Sequence, residues 1–270
     1  MTEPRLTPED HRIWDAWART ALAHARTRAH ARAVDQARAA VEAMTERCPD
    51  AYVAWSGGKD STALTHLVRV DCGVPARAMA VKDDCDFPGE EDYIRTLASE
   101  WGVVLDVVRP PISLIAWLRE HAQRLDASED VHGRSAELSR VAFYGPIDAY
   151  AQAWGRPGVY LGLRGEESHG RRMNAATRGA VYAQRSGDTV CQPLRNWRGL
   201  DVYGYLLARG IEPLHVYRCV RLHDRPDRVR KSWWLPGAHT RHGGMVWLRA
   251  YYPTLYAQLA NIFPDARRHG

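Results

Sequence analysis

The sequence predicts an α/β fold in which a parallel twisted sheet carries helices on both faces, with a helical N-terminal extension and an irregular C-terminal cap. Three observations predict it. Short apolar runs alternate with amphipathic segments of helical spacing from residue 51 to about 210, the pattern of βα units that close into a parallel sheet. A glycine-rich loop stands between the first of these strands and its helix. The 270 residues are 45% hydrophobic and 26% charged, which supplies a sizeable core and excludes disordered, collagenous and fibrous classes.

Residues 8–46 read as one long helix, or two. Pro8 stands near the start, Glu9 and Asp10 lie in the first turn, and Ile13, Trp14, Trp17, Ala18, Ala21 and Leu22 form an apolar stripe. Cys48-Pro49-Asp50 ends that run, and 51–55 is a buried strand. Helical spacing resumes over 62–70. Strand 76–81, helix 90–101, strand 103–108 and helix 112–125 follow. A polar stretch over 126–137 precedes a helix over 138–154, bent at Gly145-Pro146. Then come strands over 159–163 and 189–192 and a helix over 201–209 closed by Gly210. The region 212–250 reads as irregular, and 255–262 as a last helix. The division is therefore 1–49 as helical extension, 50–217 as the α/β domain that carries the glycine-rich loop and 218–270 as an Arg/Trp-rich cap.

Net charge is +5, yet of 37 basic residues only Lys59, Lys82 and Lys231 are lysine and 34 are arginine. An arginine-rich surface suits phosphate or carboxylate, and a coding bias gives the same count. Against that background each retained lysine marks a candidate for a specific task. No apolar stretch reaches the 18–20 residues of a membrane span, and the acidic N-terminal segment does not read as a signal peptide. Five cysteines, odd in number and without a C-x-x-C pair, fit reduced thiols and a cytoplasmic protein.

The loop Ser56-Gly57-Gly58-Lys59-Asp60-Ser61 is built for phosphate. Its glycines let backbone amides approach an anion, and the following helix adds unpaired N–H groups and a positive dipole end. Ser56 and Ser61 add hydroxyls, and Lys59 a mobile charge. The loop is neither a Walker A motif nor a G-x-G-x-x-G fingerprint. An acid inside a phosphate loop needs neutralising, so Asp60 is a candidate Mg²⁺ ligand.

This loop resembles the PP-loop of the N-type ATP pyrophosphatases, the adenine nucleotide alpha hydrolase-like proteins. Three later segments are similar to their 3′-phosphoadenosine 5′-phosphosulfate (PAPS) reductase branch. Asp83-Asp84-Cys85-Asp86-Phe87-Pro88 resembles D-T-G-x-x-F-P-E-T. Gly162-Leu163-Arg164-Gly165-Glu166-Glu167-Ser168, with Arg171 and Arg172, resembles G-x-R-x-x-E-S-x-x-R. Pro193-Leu194-Arg195-Asn196-Trp197, followed by Asp201-Val202, resembles the P-L-x-x-W…D-V segment. The match runs over about 50–217. It implies an adenine nucleotide site formed by Ser56, Gly57, Gly58, Lys59, Ser61, Asp83, Gly162, Arg164 and Arg172, with Lys59, Asp60, Arg164 and Arg171 as catalytic groups. ATP with Mg²⁺ is the implied ligand, and PAPS the alternative. The branch's E-C-G-x-H cysteine has no counterpart, since nothing after Cys219 is a cysteine, and no iron–sulfur cluster is expected.

The function expected is cleavage of ATP at the α-phosphate, giving AMP and pyrophosphate while adenylating an acceptor. Sulfonucleotide binding, or reduction through Cys219 or a partner protein's thiol, is the alternative. A non-catalytic nucleotide- or DNA-associated module is another, motivated by five arginines in 19–38 and by the run Arg218, Arg221, Arg225, Arg228, Arg230 and Lys231 beside Trp233 and Trp234. His239 and His242, with Cys219 and His223, match no strong zinc template.

Overall fold

Six short strands make the sheet: β1 (Tyr52–Ala54), β2 (Ala78–Val81), β3 (Leu105–Val108), β4 (Val159–Tyr160), β5 (Val181–Ala183) and β6 (Thr189–Cys191). Their spatial order is β3-β2-β1-β4-β6-β5. All neighbours are parallel except β5, which runs antiparallel to β6. The chain thus winds outward from β1 to one side through β2 and β3, then crosses to the other side with β4. That reversal opens a crevice beyond the C-terminal ends of β1 and β4, where sheets of this kind place ligands. The computed structural model describes residues 3–121, 140–155, 158–184, 187–223, 225–229, 231 and 243–270.

The helices are α1 (Pro8–Ala25), α2 (Arg28–Arg47), α3 (Lys59–His66), α4 (Glu90–Glu100), α5 (Leu114–His121), α6 (Gly145–Ala153), α7 (His169–Arg178), α8 (Gly199–Leu207), α9 (Met245–Tyr251) and α10 (Pro253–Ile262). The N-terminal extension is two helices, each opened by a threonine cap. Thr7 and Asp10 form a reciprocal capping box ahead of Pro8, and Thr27 accepts the His30 amide at 3.2 Å. Arg19, Arg26, Arg28 and Arg32 lie exposed along this pair. None of the described helices is long and apolar enough to cross a membrane.

Three elements depart from the sequence expectation. Helix α7 buries no residue, so it has no apolar stripe to display. Strand β5 is three residues at the sheet edge, half exposed. Helix α9, in the stretch read as irregular, buries Met245, Leu248 and Tyr251. The expected polar stretch 126–137 lies outside the described residues, as do Arg230, Trp233, Trp234, His239 and His242.

Two apolar clusters hold the layers together. One joins the sheet to α2, α3, α4 and α8 through Val41, Met44, Val53, Leu64, Ile94 and Tyr205. The second joins α1 and the other side of α8 to the cap through Trp14, Tyr203, Tyr217, Met245 and Phe263. Two buried acids tie the extension to the rest. Asp10 accepts the Val220 amide (3.1 Å), the Arg221 amide (2.8 Å) and the Tyr251 hydroxyl (2.6 Å). Asp201 at the start of α8 takes His24 Nε2 at 2.7 Å and His30 Nδ1 at 3.3 Å on one oxygen, and the Arg198 amide at 2.8 Å on the other.

Burial alone would raise the Asp201 carboxyl, but the bonds from His30, His24 and the Arg198 amide bring it down to about 2. Its stabilisation is therefore complete above the unfolded value of 3.8 and is lost as pH falls from about 4 to about 2. Urea denaturation of Asp201→Asn at pH 6 is expected to show a loss of about 1–3 kcal/mol, the cost of disrupting a buried hydrogen-bonded group. Its stability should also depend less on pH than wild type between about pH 4 and 2.

Candidate functional site

The phosphate loop leaves β1 and enters α3 by a local logic. Trp55 is fully buried, stacks on Trp101 with ring centroids 5.6 Å apart, and donates its indole N–H to Thr62 Oγ1 at 3.1 Å. The loop is thereby pinned on both sides. Gly57 turns it at φ 83°, and a side chain there would press Ile94 and Glu90 of α4, 3.1 and 3.3 Å from a Cβ. Ser61 donates to the Gly58 carbonyl at 3.0 Å, and the Ser56 and Ser61 hydroxyls lie 3.0 Å apart. Ser56 is exposed while Gly57, Gly58, Lys59 and Ser61 are buried, so the loop presents one open rim.

The loop after β4 meets it across the crevice. A Cβ on Gly162 would come within 3.0 Å of the Ser61 nitrogen and 3.1 Å of the Asp60 carbonyl carbon, so only glycine permits this backbone approach. Two residues on, Arg164 donates through Nε to Asp60 Oδ1 at 2.6 Å, and Lys59 Nζ donates to Asp60 Oδ2 at 2.9 Å. Burial raises the Asp60 carboxyl, but Lys59 and Arg164 hold it below the usual carboxylate range.

These contacts reassign several expected residues. Both Asp60 oxygens accept bonds from cations, so Asp60 brackets the two loops. Arg164 is 3% exposed and also pairs with Glu166 Oε2 at 2.7 Å, so it acts on the loop from beneath and is not an open phosphate clamp. Glu167 lies 3.9 Å from Arg164 and pairs with Arg171, which reaches the loop only through those two residues. Arg172 is exposed, with no ion pair to the loop among the described residues. Gly162 serves by its lack of a side chain. Asp83 closes a turn, accepting the Cys85 amide at 2.8 Å, and burial followed by the Asp86 charge pushes its carboxyl up to about 6.

Four further side chains, none assigned a role there from sequence, meet at the site. The Lys59 amide, first of α3, donates to the Tyr217 hydroxyl at 3.1 Å, and Lys59 Nζ lies 5.1 Å from the Tyr217 ring centre. Lys82 at the end of β2 and Lys231 from the cap both donate to the Ser56 carbonyl, at 3.2 and 2.6 Å. Both also pair with Glu90 at the start of α4. Lysine scarcity was the signal available for two of them. The cap's basic run is not a free polycationic face in its described part. Arg218 pairs with Glu212 at 2.7 Å, Arg225 with Asp227 at 3.3 Å, and Arg221 stacks over Tyr251.

None of the five cysteines offers an open, activated thiol at the loop. Cys48 and Cys72 lie in connections at the opposite end of the strands, and Cys191 is buried in β6 with its thiol pushed up to about 12 by burial. Cys85 and Cys219 lie toward the site, both buried, and burial pushes both thiols far above the ordinary range.

Comparison with known proteins fits this geometry. Among solved structures, the chain is similar to a phosphoadenylyl-sulfate (PAPS) reductase from Candida auris in a phosphate complex, at TM-score 0.52 and 17% identity over 66% of this chain and 81% of that one. An FMN adenylyltransferase from Candida glabrata matches at TM-score 0.52 and 11% identity over 77% of this chain and 67% of that one. Its complex with ATP matches at TM-score 0.50 and 11% identity, over 77% and 67%. At these identities the likeness shows the fold. No curated protein matches the sequence significantly. The sequence pattern of the phosphoadenosine phosphosulfate reductase domain matches residues 50–226, about two thirds of the chain, and the protein belongs to that family.

Proposed function

We propose that the protein binds ATP at the 56–61 loop and transfers its adenylyl group to an acceptor, releasing pyrophosphate. One observation carries this reading: an intact phosphate loop stands without an activated thiol, so the site is equipped for phosphoryl-group electrostatics and not for reductive attack on sulfur. In this reading the α3 N-terminus, the Ser56 and Ser61 hydroxyls and Lys59 hold the terminal phosphates. An acceptor oxygen bonds to the α-phosphorus, the bridging oxygen toward the β-phosphate leaves with the bonding pair, and Lys59 stabilises the charge gathering on pyrophosphate. Asp60 and Arg164 keep Lys59 and the two loops in register. The Tyr217 hydroxyl yields the Lys59 amide to a phosphate oxygen. Magnesium in this reading arrives with the phosphates of ATP and is not held by Asp60.

Sulfonucleotide binding is the second reading, favoured by the family match over residues 50–226. Thermal shifts with ATP·Mg²⁺ and with PAPS separate the two, and the larger shift is expected with ATP·Mg²⁺.

Chromatography of ATP incubated with Mg²⁺ and a panel of acceptors is expected to show AMP-linked product and pyrophosphate. Lys59→Met should lower the rate by about 10²–10³, the scale for losing one charge-stabilising donor. Absence of pyrophosphate with every acceptor, together with a larger thermal shift for PAPS, would reverse the ranking. In a thioredoxin-coupled assay neither wild type nor Cys219→Ser should release sulfite from PAPS. Release that vanishes in Cys219→Ser would restore the reductase reading.

A further inference from the structure

The chain keeps three lysines among 37 basic residues, and all three meet at one loop. Lys59 belongs to the loop. Lys82 comes from the end of β2 and Lys231 from the cap, 149 positions apart in sequence. Both Nζ atoms converge on the Ser56 carbonyl and on the same oxygen of Glu90, Oε1. They also lie 3.6 and 3.5 Å from the two oxygens of Asp86. The slender ammonium stem reaches a point that a guanidinium fork would crowd, which gives a reason for lysine where arginine is the rule.

The cluster is lopsided. Glu90 is 1% exposed, and its second oxygen, Oε2, is buried without a hydrogen-bond partner among the described residues. A cluster serving only as a brace would spread two ammonium groups over two carboxylate oxygens, because each buried oxygen left bare costs about 1–3 kcal/mol. Here the cations are instead held toward Ser56, the open rim of the phosphate loop. Lys231 is 11% exposed and faces solvent first, with Lys82 behind it.

We propose that Lys82 and Lys231 form an anion subsite on the rim of the phosphate loop, which receives the terminal phosphates of the nucleotide, and that Glu90 is the counter-ion occupying them when the site is empty. The subsite rests on the nucleotide reading above but adds the residues that grip the leaving pyrophosphate, one of them delivered by the cap. Phosphate oxygens replace Glu90 Oε1 as acceptors. No covalent step is involved.

Titration calorimetry of the full chain with inorganic pyrophosphate, with AMP as control, tests it. Lys231→Met is expected to weaken pyrophosphate binding by about tenfold or more, the worth of a charge-assisted hydrogen bond, and to leave AMP binding unchanged. Glu90→Gln removes the competing anion and is expected to strengthen pyrophosphate binding several-fold, a gain that a bracing role does not produce. The proposal is overturned if wild type fails to bind pyrophosphate, or if Lys231→Met binds it as well as wild type. It is equally overturned if both ligands weaken together in Lys231→Met, or if Glu90→Gln leaves binding unchanged or weaker. Lys231-dependent pyrophosphate binding in a chain that makes no AMP product would sink the adenylation reading alone, and adenylation indifferent to Lys231→Met would sink the subsite alone.

Discussion

A single buried carboxylate sets the geometry of the site. Asp60 stands where the sheet's winding reverses, between Lys59 on one loop and Arg164 on the other. An unpaired buried charge costs several kcal/mol, so the fold must deliver both cations to it together. The demand then spreads outward. Arg164 is itself steadied by Glu166, whose Oε2 also accepts the Gly199 amide at 2.6 Å at the head of α8. Helix α8 is in turn held to the N-terminal pair by Asp201 and its two histidines. A chain of paired charges thus runs from the phosphate loop to the helical extension.

Two groups from the C-terminal part of the chain close over the loop: Tyr217 reaches the first amide of α3, and Lys231 of the cap reaches its rim. The phenol oxygen accepts that amide without carrying charge. It satisfies a donor that would otherwise be buried bare. Cys219, two residues beyond Tyr217, is packed into the cap core, and burial keeps its thiol protonated. The family pattern matches residues 50–226, and no cysteine follows Cys219.

The loop 56–61 was legible because its chemistry is contiguous: two glycines, two hydroxyls and a lysine in six residues, framed by a strand and a helix. The alternation of the core strands was legible for the same reason. Asp60 was not, because whether a carboxylate faces a metal or two cations depends on Arg164, 104 positions away. Glu90 and Tyr217 carry no local mark, since their roles exist only once α4 and the cap are folded over the loop. Lys82 and Lys231 were marked by rarity alone, which flags a residue without naming its task. Helix α7 escaped because periodicity reports burial, and it buries nothing.

The Asp10 carboxylate has a consequence for the order in which the chain comes together. Thr7 satisfies one of its oxygens locally, but the partners of Oδ1 lie 210, 211 and 241 residues downstream, so α1 emerges from the ribosome long before they exist. Closing so long a loop carries an entropic cost that short-range contacts do not. The first helix waits solvated until the segments around Val220 and Tyr251 have been made and complete its burial. Segments made more than 200 residues later are therefore the ones that lock α1 in place.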